Sequence, residues 1–133
     1  MSNDDLNQLL KHMKPYLVPG KLVFITLDND QLETHINASI AMVKEAEGVT
    51  FVLPQSYADE CSLSYDGTYR QISLTVQSAL EGFGLVAAFA TALANHGVPA
   101  NVFAGYYHDH ILVPERLADT AVQALEELSR QAA

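Results

Sequence analysis

The sequence predicts an α+β protein in two tandem halves, each an antiparallel sheet with helices on one face. Three observations carry that expectation. Short apolar or alternating runs recur at 22–27, 39–44, 49–53, 72–76, 100–106 and 111–113, and read as strands. Two stretches in the second half instead space their apolar residues as helices do. The resulting order is β-β-β-α and then β-α-β-β-α, with helices placed to cover a single sheet face.

The elements follow in chain order. Leu6, Leu9, Leu10 and Met13 form one face of a short helix that Asp4 or Asn3 can cap. Pro15 ends it, and Pro19-Gly20 turns the chain. Residues 22–27 are a near-continuous apolar run closed by the polar loop Asp28-Asn29-Asp30, whereas 31–37 are mixed and predict no element. Glu45-Ala46-Glu47-Gly48 reads as a hairpin turn into a strand over 49–53, which Pro54 stops. Tyr57, Ala58, Cys61 and Leu63 suit a two-turn helix over 55–63, and Tyr65-Asp66-Gly67 is a turn.

In the second half Ile72, Leu74 and Val76 alternate with Ser73, Thr75 and Gln77, as in a half-covered strand. A glycine-bearing loop leads into an alanine-rich helix over 85–96, with Val86, Phe89, Ala90 and Leu93 on its core face. Gly97 ends that helix and Pro99 prevents its continuation. After a strand pair turning near 107–109, Pro114 opens the last helix, which turns Leu117, Ala121, Leu125 and Leu128 to the core. The second half thus has the split βαβ layout called ferredoxin-like, and the first half repeats it with a loop in place of one helix. The domains are expected at 1–68, an incomplete half, and 69–133.

Composition narrows the function. At 133 residues, 49% hydrophobic and 17% charged, the chain has enough apolar residues for a packed core and too little charge for disorder. Sixteen acids against seven Lys and Arg give a net charge of −9, which argues against a nucleic-acid partner. Cys61 is the single cysteine, so neither an internal disulfide nor a cysteine zinc site is expected; beside Leu63 it reads as a partly buried, inert thiol. The start lacks the basic and apolar parts of a signal peptide, and no run reaches the ~20 apolar residues of a membrane span. A cytoplasmic protein is the expectation.

Few residues carry chemistry. In the loop 78–84, Gly82 and Gly84 permit close backbone approach, and the following helix start offers unpaired N–H groups to an anion. The same glycines equally serve a tight strand-to-helix turn. Asn101, heading the next strand, can donate to and accept from an amino acid, or simply face water. His108 and His110 alternate on a strand and could share an ion; no third ligand is evident, and a polar turn explains the triplet His108-Asp109-His110 as well. No serine or cysteine stands in a nucleophile pattern. An enzyme is not expected, and no cofactor.

Residues 71–128 resemble an ACT domain. Gly84-Leu85-Val86-Ala87-Ala88, then Gly97-Val98-Pro99-Ala100-Asn101 and Ile111-Leu112-Val113-Pro114, are similar to the second ACT repeat of aspartate kinases. Residues 45–54 with 101–114 are similar to stand-alone bacterial tandem-ACT proteins. The resemblance implies amino-acid binding at a seam between paired modules, through Leu80, Gly82, Phe83, Gly84, Leu85 and Val86 and through Asn101. Phe83 departs from the small residues usual there. The function expected first is a non-catalytic regulatory binder of an amino acid or similar small carboxylate. The alternatives are a protein-interaction module without a ligand and, last, a metal-dependent enzyme using His108 and His110. The small apolar second face of the 85–96 helix (Ala87, Ala88, Thr91, Ala92, Ala94) predicts a homo-oligomer, if it does not pack on the front half of its own chain.

Overall fold

The computed structural model describes residues 3–77 and 83–132. The elements run α1 (Asn3–His12), β1 (Pro15–Leu17), β2 (Leu22–Leu27), α2 (Leu32–His35) between two 3₁₀ turns, β3 (Ala41–Glu45), β4 (Gly48–Pro54) and α3 (Gln55–Glu60). They continue as β5 (Tyr69–Leu74), α4 (Leu85–Asn95), β6 (Asn101–Ala104), β7 (Asp109–Pro114) and, after a 3₁₀ turn, α5 (Ala118–Gln131). This is the expected α+β class, and every strand pair whose register is resolved is antiparallel. The cap expected from Asp4 or Asn3 rests on side chains outside those described.

The chain divides into two compact units: Gly20–Tyr69, and the residues up to Pro19 together with those from Arg70 onward. The expected boundary after residue 68 lies one residue from the change at Tyr69, but the first nineteen residues group with the second half. The cause is β1, where the sequence predicted no strand. Its three residues pair antiparallel with β5, Tyr16 opposite Ser73, and Thr75 N–H donates to the Met13 carbonyl at 2.8 Å.

In the larger unit the strand order is β1-β5-β7-β6, the spatial order of a ferredoxin-like sheet. Ile72, Leu74, Ile111 and Val113 project from one face into a cluster with Leu10, Met13, Leu85, Phe89, Leu93, Ala121 and Leu125. All three long helices therefore bury their apolar stripes against the same face, as their spacing predicted. Helix α1 is tied down further: Ser129 Oγ on α5 donates to the Lys11 carbonyl at 3.0 Å, satisfying one of the acceptors that a helix end leaves open.

In the smaller unit the order is β3-β4-β2, with Glu45 opposite Gly48 at the expected hairpin. Val23, Ile25, Val49, Phe51, Leu53 and Ala58 form its core. The stretch 29–38, expected as loop, is helical but broken into a 3₁₀ turn, the four-residue α2 and a second 3₁₀ turn. Leu32 and Ala38 pack on the core, yet Ile36 stays exposed, which is why the periodicity was weak.

Candidate functional site

The site expected from the sequence lies in the larger unit. Gly84 is the N-cap of α4 with φ +101°, a conformation that costs an L side chain, and a Cβ there would meet Leu6 Cδ2 at 3.0 Å. No side chain caps the helix and its first turn holds no acidic residue. The first backbone N–H groups of α4 lie at the positive end of its dipole.

The flanking side chains divide. Phe83 is 67% exposed. Leu85 is 4% exposed, anchored in the core, and only its backbone can serve a ligand. Val86, expected on the core face, is 43% exposed instead. At one residue past the buried Leu85 it lies about 100° round the helix, off the Leu85-Phe89-Leu93 stripe. Leu80 and Gly82 lie outside the described residues.

Asn101 is exposed at the head of β6, opposite Leu112. Its strand is separated from β5 by β7, because the β6–β7 hairpin returns its second strand to the centre of the sheet. The eleven-residue α4, about 16 Å long, separates Gly84 from the connection that leads to Asn101. One copy of the chain therefore does not bring Asn101 to Gly84.

At the other end α4 closes on itself. Gly97, at φ +72°, donates its N–H to the Ala94 carbonyl at 3.0 Å, and Val98 N–H reaches the Leu93 carbonyl at 2.9 Å. This is the Schellman pattern, with its apolar contact supplied by buried Val98 and Leu93.

A polar cluster that pattern reading missed occupies the sheet face away from the helices. Gln71 Nε2 donates to Ser73 Oγ at 3.0 Å and lies 3.3 Å from His110 Nδ1, and Ser73 Oγ is 2.8 Å from the same nitrogen. An amide NH₂ can only donate, so Nδ1 accepts from both neighbours and the ring proton sits on Nε2. Burial, and next the nearby His108, hold His110 below the ordinary imidazole value; Asp109 opposes them. His108 lies exposed in the turn, outside strand β7. Among the described residues no three His, Cys, Asp or Glu side chains gather as a metal site.

In the smaller unit, His35 is buried, with Nδ1 2.7 Å from the Tyr57 hydroxyl and its ring edge-on to Phe51. Burial, followed by the Cys61 thiol, raises the Tyr57 phenol above its usual value. Cys61 itself is exposed, correcting the expectation of a partly buried thiol: α3 ends at Glu60, before a second turn can carry residue 61 inward.

Comparison with known proteins places this architecture. Models of the ACT domain match residues 2–70 and 67–127. The chain belongs to the ACT-domain family, as a tandem pair. It is similar to a Vibrio cholerae protein of unknown function, described as a possible transport protein, at 44% identity and a TM-score of 0.85, covering 96% of this chain and 99% of that one. The ligand-free regulatory subunit of aspartate kinase from Thermus thermophilus shares the fold at 11% identity and a TM-score of 0.64, over 86% of this chain and 95% of that one. The Agrobacterium tumefaciens protein Atu0741 does so at 15% identity and a TM-score of 0.66, over 86% and 87%. No curated protein matches the sequence. No helix among the described residues is long and apolar enough to cross a membrane. The tandem ACT pair thus has the ferredoxin-like modules that the sequence predicted.

Proposed function

We propose that this tandem ACT protein is a cytoplasmic, non-catalytic regulatory protein that binds an amino acid or a similar small carboxylate. The observation that carries the reading is the start of α4: a glycine N-cap at φ +101°, no side-chain cap, and no acidic residue in the first turn. The ligand carboxylate accepts from the first N–H groups of α4, within a loop made by Leu80, Gly82, Phe83, Gly84, Leu85 and Val86. Local donors must supply this attraction, because the net charge of −9 disfavours an anion at long range.

Asn101 completes the site from a second copy of the chain. Among the described residues β6 pairs with β7 alone, so its other edge can accept a strand. Antiparallel pairing of β6 with β6 of a second copy sets each Asn101 opposite the other Ala104, the end of the strand farthest from its own Asn101. Homo-oligomerisation and ligand binding are then one event, and neither nucleic acid nor membrane is a partner.

Calorimetry across the twenty amino acids tests this, with light scattering for mass. A ligand is expected whose affinity falls about five- to 150-fold in Asn101→Ala, the equivalent of about 1–3 kcal/mol, with little change in melting temperature. A monomer that binds no amino acid would return the chain to a structural module. A ligand that binds parent and variant equally would overturn the site.

A further inference from the structure

We propose that the groove between α4 and α5 is a second binding site, for a linear aliphatic ammonium ion such as an alkyl mono- or diamine. The groove has a volume of about 220 Å³. Its floor is Ala88, Ala92, Ala124 and Leu128, and no Lys or Arg among the described residues lines it. Small residues at facing positions hold the two helices close while leaving a channel, so the floor suits methylene groups and little that is wider.

The polar end of the groove is built for a cation. His96 Nδ1 lies 2.8 Å from the Ala92 carbonyl oxygen, which can only accept, so Nδ1 carries a proton and donates. That bond fixes the ring and leaves Nε2 as the atom turned to α5. There it stands 3.9 Å from Glu127 Oε2, while Glu127 Oε1 accepts from Gln131 Nε2 at 3.2 Å. In neutral His96 both facing atoms are therefore acceptors, separated by more than a hydrogen bond. An ammonium group, with three N–H bonds, donates to both at once. Two further fields favour a positive charge at this point: α4 ends here, presenting the negative end of its dipole, and the whole chain carries −9.

The site is separate from the start of α4, so it stands or falls independently of amino-acid binding. The test titrates the full chain with 1,4-diaminobutane at pH 8 and follows backbone amide resonances, with 1,4-butanediol as the uncharged analogue. Expected are saturable shifts confined to residues 88–96 and 124–131, with a dissociation constant of about a millimolar, and none with the diol. Glu127→Gln is expected to weaken the diamine at least about tenfold, the loss of one charge-assisted contact. Glu126→Gln, which removes an equal charge from an exposed neighbour that does not line the groove, should leave affinity within about twofold. Asn101→Ala should leave it unchanged. Equal loss in both glutamate variants would reduce the effect to diffuse charge and overturn the proposal. So would diol binding as strong as the diamine's, shifts that never saturate, or shifts that lie elsewhere.

Discussion

The two units share a β-α-β-β-α order but differ in the segment after the first strand. In the larger unit a glycine leads into α4, an uninterrupted helix of 11 residues. In the smaller one Asp28 leads into helical pieces of three, four and three residues. The difference sets how large a dipole each segment builds. Dipoles add along a helix, and four residues make one turn, whereas α4 makes three. The smaller unit also uses its polar groups internally, with His35 closed onto Tyr57. One fold repeated twice thus builds one long helix and one packed plug.

The contrast can be broken by the anchors of each helix. Phe89 is fully buried at the middle of α4, and Phe89→Ala is expected to cost about 3–5 kcal/mol in denaturant unfolding. Leu32, only partly buried at the start of α2, should cost less than half of that as Leu32→Ala. Equal losses would mean that the broken helix contributes as much as the long one.

Gly84→Ala probes the start of α4. Residue 84 holds φ +101°, and the nearest atoms to the new Cβ are the flexible end of Leu6, so backbone strain is the main cost, about 1–3 kcal/mol. Amino-acid binding should weaken with it. Unchanged melting and unchanged binding would remove the loop from the site. The plug is tested by Tyr57→Phe, which leaves buried His35 Nδ1 without its partner. A loss of about 1 kcal/mol or slightly more is expected in thermal unfolding; a variant as stable as the parent would make the histidine an ordinary core residue.

How much of this was legible in the sequence depends on the range of each interaction. The boundaries of α4 were readable because Gly84, the Leu85-Phe89-Leu93 stripe and Gly97 act within a few residues of one another. The hairpin at 45–48 was readable for the same reason. Strand β1 was not, since three residues show no alternation and their partner, β5, lies 57 positions away at Tyr16–Ser73. The place of β6 was not legible, because only the sheet order shows β7 taking the place beside β5. The His110 cluster joins residues 37 and 39 positions apart, a separation that local patterns do not encode.

That cluster gives the smallest effect and the sharpest contrast with the plug. His110 sits on a sheet face with Nδ1 already accepting from Ser73 and Gln71, so a proton on that nitrogen would set donor against donor. Gly105 closes one side of the ring: a Cβ there would lie 3.4 Å from Nε2 and 2.9 Å from the His108 carbonyl, which leaves little room for the imidazole to swing away. Burial and the neighbouring His108 hold the folded-state value below the ordinary 6.5, with Asp109 pulling the other way. The unfolded chain then binds more protons than the folded one as the pH falls below about 6.5, and unfolding becomes easier. The stabilisation is complete above that value, and it is lost progressively as the pH falls toward the folded-state value. Urea unfolding of the parent between pH 8 and pH 5 should show this slope, at most about 1.4 kcal/mol per pH unit from a single group. His110→Gln, which cannot titrate, should flatten it while keeping an acceptor for Ser73. A slope that persists undiminished in His110→Gln would assign the pH dependence to another residue.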